Sequence, residues 1–126
     1  MKTQYTVVLA ALTGIGIGAA AVQGLHAQAK PPAYAVVEID VTNADAFTKE
    51  YAPIAGKVIT AAGGKYLARG GKNVAIEGDP PKRITIIQFE SLEKAQALFA
   101  SSEYREGRKT GDKYAKFRIL AVEGLQ

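Results

Sequence analysis

Few side chains in this sequence can take part in catalysis or ligand binding, and Glu38 is the first of them. It lies in the alternating run Tyr34–Val41 (YAVVEIDV), flanked by a valine and an isoleucine. A carboxylate enclosed by apolar side chains has a raised pKa and can act as a general base. The competing interpretation is an ion pair with Arg118, with Arg69 or with a symmetry-related subunit. Glu38 is the candidate catalytic residue.

The second candidate lies in the segment Tyr66–Asp79 (YLARGGKNVAIEGD), where Arg69 precedes two glycines. Consecutive glycine N–H groups beside an arginine can bind an anion. A phosphate-binding loop normally leads into a helix, whereas an extended run follows here. The glycines therefore predict a turn or bulge between strands. Strict alternation puts Arg69 on the side of Leu67, but a bulge reverses the register, so its sheet face stays open.

Three further side chains are candidates for lining a ligand pocket beside Arg69: Tyr34, Tyr66 and Gln88. A tyrosine ring more often lies in a core or at the rim of one, with its phenol reaching a polar partner. Gln88 can orient a ligand, and it equally suits a solvated sheet face. We assign all three residues to the pocket, and we give the two tyrosines no catalytic role.

The composition excludes several kinds of chemistry. The chain has no cysteine, and its single histidine is His26. Without cysteine there is no disulfide and no thiolate nucleophile or metal ligand. Acidic residues at 77 and 79 near Asp40 suit a hard cation poorly, because prolines follow directly. We predict no metal and no cofactor. A net charge of +4 with mixed signs also gives no sign of a nucleic-acid partner.

Residues 1–29 have the pattern of a secretory signal peptide. A lysine at position 2 precedes the uncharged run Val7–Val22, and Ala27-Gln28-Ala29 gives a small-x-small cleavage site. The alternative is a retained membrane anchor, but this run is shorter than the roughly 20 residues that a spanning helix needs. We predict cleavage after Ala29 and export to a bacterial periplasm or medium, with no membrane association afterwards. The absence of disulfides is compatible with a periplasmic location.

The remaining chain, residues 30–126, predicts alternating strands and helices. Thr42 is a candidate helix cap, Pro53 predicts a break near Ala52, and Gly63-Gly64 ends that helix. Its apolar stripe comprises Phe47, Tyr51, Ile54, Val58 and Ala62. Strands are predicted at 34–41, 65–69, 73–77, 83–90 and 116–123, and helical pieces begin at Ser91 and Ser101.

This order is a split β-α-β arrangement, the ferredoxin-like plan of the α+β class. Two helical segments cover one face of an antiparallel sheet, and the face with Tyr34, Val36 and Glu38 stays open. An open face with apolar residues is an association surface. We therefore predict a homodimeric α/β barrel, in which two sheets pack face to face around a cavity.

Several motifs together resemble a known family. They are YAVVEIDV at 34–41, AAGGKYLARGG at 61–71, EGD at 77–79, FESLEKA at 89–95 and SSEY at 101–104. The chain is similar, over about residues 33–125, to the bacterial family called domain of unknown function 1330. The resemblance implies a ferredoxin-like dimeric α/β barrel, similar to cofactor-independent antibiotic-biosynthesis monooxygenases. It implies no established activity. Many members lack a leader, so an exported member departs from that pattern.

Two functions follow as expectations. The first is an exported dimer that binds or transforms a small organic molecule. As an enzyme it would be a cofactor-independent oxygenase or isomerase, with Glu38 as base and Arg69 or Gln88 polarising the substrate. The alternative is a non-catalytic binding or structural dimer.

Overall fold

A computed structural model describes residues 30–126 of the protein, so the predicted signal peptide lies outside the described residues. Four strands form one antiparallel sheet: β1 (Ala33–Val41), β2 (Lys65–Arg69), β3 (Arg83–Phe89) and β4 (Ala115–Glu123). Their order across the sheet is β2-β3-β1-β4. With one helical segment after β1 and another after β3, this is the predicted ferredoxin-like plan. The central position predicted for β3 is confirmed.

The first helical segment consists of α1 (Ala44–Ala46), a π-helical turn (Phe47–Tyr51) and α2 (Ala52–Ala61). Its cap is Asn43, whose Oδ1 accepts a hydrogen bond from the Ala46 N–H at 3.1 Å. The prediction of Thr42 as the cap was wrong. The Thr42 hydroxyl instead donates to a backbone carbonyl just before β4.

The predicted break near Ala52 is confirmed, and it shifts the apolar stripe of the helix. Pro53 stands in the first turn of α2 and has no N–H to donate, and the π-helical turn directly precedes it. A π-helical turn takes up one extra residue, so the inward positions move by one. Ala55 and Ile59 are buried in place of the predicted Ile54 and Val58, and Ile54 is 37% exposed.

The other helix boundaries follow the predicted signals. Gly63 adopts a left-handed conformation (φ 87°) after α2. Ser91 caps α3 (Leu92–Ala100), and Ser101 caps α4 (Ser102–Gly111); each side chain accepts a backbone N–H of its own helix. No helix among residues 30–126 is long and apolar enough to cross a membrane.

The predicted strand at 73–77 is absent, which corrects the strand pairing. β2 pairs directly with β3, and residues 70–82 form a loop between them. Val74 and Ile76 are 75% and 93% exposed. The segment 73–77 alternates like a strand, but it cannot pair with β3. Both edges of β3 are already occupied, by β2 on one side and by β1 on the other.

Alternation along the strands gives the sheet two different faces. In β1 the residues Ala33, Ala35, Val37 and Ile39 are buried beneath the helices. Their neighbours on the strand face the other side, where no described element covers them. We call these the inner face and the open face. The inner face carries the hydrophobic core, and it also carries the cavity described below.

Candidate functional site

A partly enclosed cavity of about 40 Å³ lies between the inner face of the sheet and the helical segments. Most of its wall is apolar, and all four strands contribute residues to it. Six aromatic rings line it: Phe47, Tyr51, Tyr66, Phe99, Tyr104 and Phe117. Its polar side chains, apart from the phenols, are Arg69, Arg83 and Thr85. A mainly apolar cavity with a few convergent polar groups is the usual form of a ligand site.

A β-bulge decides which face Arg69 occupies. Tyr66 pairs with Ile87, but Ala68 pairs with Ile86, so the register shifts at Leu67. The extra residue puts both Tyr66 and Arg69 opposite inner-face residues. The question left open by the sequence is therefore settled: Arg69 lies beside the helices, with Tyr66, and lines the cavity.

Arg69 lies at the mouth of the cavity, because it is the exposed residue among those that line it. Its Nη2 donates a hydrogen bond to the Ala52 carbonyl at 2.8 Å. Its guanidinium also stacks on the Tyr66 ring, with Cζ 4.4 Å from the ring centroid. Gly56 leaves room for this group, since a Cβ there would lie 3.1 Å from Nη2. These contacts hold the side chain across the opening.

The second arginine, Arg83, begins β3 and also points into the cavity. Its Cζ lies 5.2 Å from the centroid of the Phe47 ring. Its Nε is buried and has no hydrogen-bond partner among the described residues. Burial, and secondly the neighbouring charge of Arg69, lower the pKa of Arg83. An unsatisfied buried donor is uncommon in folded proteins and marks the site as unusual.

Gly70 makes the position of Arg83 possible. A Cβ at Gly70 would lie 2.5 Å from the Arg83 Cζ, and the glycine has φ 64°. Only glycine therefore suits both the backbone and the space at this point. At Gly71, by contrast, nothing lies within 4 Å of the place that a Cβ would take. The first glycine of the pair thus serves the cavity, whereas no contact in the structure explains the second.

Sequence reasoning missed Arg83 as a site residue. A charged residue at the start of a strand normally lies in solvent, so its type and position alone give it no role. Alternation did carry the signal, because Arg83 shares its face with the buried Thr85 and Ile87. Alternation could not show that the chain after β2 passes close to the Arg83 guanidinium at Gly70, where only a glycine leaves room for it.

The cavity also contains phenols that remain protonated. Burial, and then the proximity of Tyr104 and a hydrogen bond with it, raise the pKa of Tyr51 far above its usual value. Burial likewise raises the pKa of Tyr66, although Arg69 opposes this shift. Neutral phenols can donate hydrogen bonds. The lining contains no aspartate or glutamate among the described residues, so two cations and several O–H donors face the same space.

The structure divides the predicted site residues between the two faces of the sheet. Tyr66 and Arg69 line the cavity. Tyr34, Glu38 and Gln88 lie on the open face, where Tyr34 pairs with Gln88 across the strands. The two groups therefore do not meet within one subunit.

Glu38 has a cationic neighbour on the open face. Its Oε2 lies 3.5 Å from the Arg118 Nε on β4. This is the ion pair that competes with a catalytic role for the carboxylate. The contact is a single, partly exposed one, and such pairs contribute little to stability. Within residues 30–126 no group of three or more acidic or histidine residues lies close enough to hold a metal ion.

The open face has an apolar centre. Val36 of β1 pairs with Ile86 on one side and with Leu120 on the other. Leu120 is 47% exposed and Val122 is 59% exposed. This apolar row, with Glu38 and Arg118 at its edge, is an exposed apolar patch on the sheet.

The fold defines a class, the small α+β proteins with a ferredoxin-like antiparallel sheet. Within that class, the profile of the domain of unknown function DUF1330 matches residues 32–125, and the chain belongs to that family. The family resemblance predicted from the sequence is confirmed. The chain has no match among curated proteins.

Solved structures share the fold at low sequence identity. A protein of unknown function from Rhodopseudomonas palustris is 17% identical with a TM-score of 0.62, over 77% of this chain and 85% of that one. A hypothetical Arabidopsis thaliana protein is 18% identical with a TM-score of 0.57, over 78% and 92% of the two chains. SnoaB, a cofactor-independent oxygenase from Streptomyces nogalater, is 10% identical with a TM-score of 0.51, over 76% and 95%. The similarity to these structures concerns the fold alone.

Proposed function

We propose that the protein binds a small organic molecule in the cavity between its sheet and its helices. The observation that carries this proposal is the buried Arg83 Nε, which has no hydrogen-bond partner among the described residues. A buried donor without a partner costs free energy, and a ligand acceptor would remove that cost. The aromatic wall around it would contact the apolar part of such a ligand.

Turnover of the ligand without a cofactor is the catalytic form of this proposal. Neutral phenols and a guanidinium can stabilise negative charge that develops on an oxygen atom, as in oxygenase or isomerase chemistry through an enolate. SnoaB, which shares the fold, is a cofactor-independent oxygenase. The non-catalytic form uses the same cavity for binding only. A catalytic role for Glu38 as a general base on the open face remains a separate prediction. Gln88 and Tyr34 lie on the same face as this carboxylate.

We also propose that the protein is an exported homodimer. The apolar row on the open face supports dimerisation, because a sheet-to-sheet contact would bury Leu120 and Val122. The leader pattern supports export with cleavage after Ala29. A second cavity would then lie between the two sheets, lined by the open-face candidates.

Native mass spectrometry of the full-length gene product, expressed with its own leader and purified from the periplasm, tests these proposals together. We expect a dimer whose chains begin at Lys30 and which carries a small-molecule adduct. Oxygen uptake with the released compound then separates the catalytic form from the binding form. A chain that carries no adduct, and that binds nothing in a fragment library, would contradict the binding proposal.

A further inference from the structure

The two arginines of the cavity carry charge that no carboxylate among the described residues neutralises. Arg69 and Arg83 come from adjacent strands, and each lines the cavity. Neither makes a salt bridge with a carboxylate among residues 30–126. Cationic side chains on the open face and on α4, such as Arg118 and Arg108, do have acidic partners. Like charges brought together without a counter-ion disfavour one another.

Local backbone geometry is what brings these two charges together. The bulge at Leu67 turns Arg69 inward. Gly56 and Gly70 leave the space that each guanidinium occupies, and a Cβ at either would approach it to 3.1 Å or less. Several independent features of the chain therefore converge on one arrangement. That arrangement has an electrostatic cost when the cavity holds no anion.

The cavity also limits the size of what can enter. Its volume of about 40 Å³ exceeds the space that one water molecule needs, yet it is far below the roughly 300 Å³ of a typical pocket for a drug-sized ligand. The charged end lies at the mouth, where Arg69 is exposed, and buried aromatic rings lie beyond it. A short apolar chain fits this interior, whereas a ring requires side chains to move.

We infer that Arg69 and Arg83 together recognise a carboxylate group, and that the ligand is a short-chain organic carboxylate whose apolar end enters the aromatic cavity. This inference rests on the proposed binding function and gives it a ligand class. Guanidinium groups match a carboxylate by paired N–H···O hydrogen bonds, which are stronger than those of neutral groups. The absence of acidic residues from the described lining favours an anion over a cation.

An NMR titration with matched compounds tests the ligand class. Propionate, propionamide and propylamine have similar shapes and differ in charge, and benzoate keeps the carboxylate but adds a ring. We expect propionate to shift the side-chain Nε–Hε signal of Arg83 and to bind at least about tenfold more tightly than propionamide. Propylamine should not bind, and benzoate should bind more weakly than propionate.

Arginine-to-glutamine variants locate the binding. Arg83→Gln and Arg69→Gln should each weaken propionate binding about tenfold or more. Arg105→Gln removes the same charge from an exposed position on α4 and should leave binding unchanged. A second readout separates recognition from a structural role: without ligand, Arg83→Gln should unfold at the same temperature as the parent or at a higher one. A role limited to packing on Phe47 predicts a lower temperature.

The outcomes distinguish the inference from the proposal beneath it. If propionamide binds as tightly as propionate, the carboxylate inference is wrong, and if benzoate does, the short-chain part of the inference is wrong; in both cases the cavity still binds a small molecule. If no compound in the series or in a fragment library binds, the proposed function itself fails. Equal propionate affinity in Arg83→Gln and the parent would also overturn the inference.

Discussion

The inner and open faces belong to the same strands of the sheet, but they differ in whether their charged side chains have partners of opposite charge. On the open face, Glu38 lies 3.5 Å from Arg118. On the inner face, Arg69 and Arg83 have no acidic partner among the described residues. Burial increases the cost of an unpaired charge. The inner face, which is the more enclosed of the two, therefore has the less favourable arrangement of charges.

This difference agrees with the two tasks proposed for this small domain, self-association on the open face and ligand binding on the inner face. An apolar row with a paired charge at its edge suits a surface that associates with the same surface of a second subunit, because the charged groups already have partners before association. Unpaired donors around a cavity suit the capture of a ligand that supplies the missing acceptor. The following predictions test whether the two faces are independent.

Leu120→Glu should have the largest effect, on assembly. A charge without a partner buried between two sheets costs about 3–5 kcal/mol, so the dimer dissociation constant should rise more than about a hundredfold. The fold of each subunit should persist, because Leu120 is half exposed within it. Light scattering across a concentration series gives the dissociation constant. Ala97→Glu, on an exposed position of α3, is the control, and an unaltered dimer in Leu120→Glu would remove the open face from the interface.

Gly70→Ala should destabilise the inner face. The substitution forces a non-glycine residue into φ 64° and puts a Cβ 2.5 Å from the Arg83 Cζ. We expect a loss of about 2–3 kcal/mol in the free energy of unfolding, measured by urea titration. Gly78→Ala is a matched control, since Gly78 has φ 81° but no atom within 4 Å of that position. Its loss should be about 1 kcal/mol, and equal losses in both variants would mean that the Arg83 contact has no energetic weight.

Alkaline pH should weaken the fold through the cavity phenols. The pKa of Tyr51 is higher in the folded state than its usual value near 10. Its stabilising contribution is therefore complete below about pH 10 and is lost as the pH rises further, because the unfolded chain loses the proton first. In urea titrations between pH 8 and 12, Tyr51→Phe should reduce the slope above pH 10 by up to about 1.4 kcal/mol per pH unit. Parallel curves for the parent and the variant would contradict this.

Glu38→Gln should have the smallest effect on the isolated subunit. The ion pair with Arg118 is partly exposed, so its loss should change the free energy of unfolding by less than about 1 kcal/mol. Carboxylate binding in the cavity should not change, because the sheet separates Glu38 from it. Urea titration of the variant measures the first quantity, and calorimetric titration with propionate measures the second. A loss of ligand binding or turnover in Glu38→Gln would move the functional site to the open face.

Local sequence patterns predicted much of this fold. Strict alternation in β1 assigned Val37 and Ile39 to the core, and the serines at 91 and 101 marked two helix starts correctly. These features depend on neighbouring residues alone. The strand predicted at 73–77 was wrong, because the existence of a strand depends on a distant partner that local pattern does not reveal.

The site was harder to predict than the fold, for a related reason. Arg69 and Tyr66 are recognisable as candidates, but whether they share a face depends on one bulge. Arg83 was missed because its burial depends on the path of the chain at Gly70. Tyr51 and Tyr104 approach each other from separate helical segments. Each of these placements comes from tertiary geometry.

The bulge at Leu67 also makes the pairing of β2 as informative as its composition. Regular pairing of all five residues would leave every charge in the chain, yet it would put Arg69 opposite Ile84 and turn it outward, whereas deletion of Leu67 would keep Arg69 opposite Thr85 on the inner face. In related chains, a gap of one residue here is therefore compatible with the same cavity. Arg69 can exchange one side of the sheet for the other without being mutated.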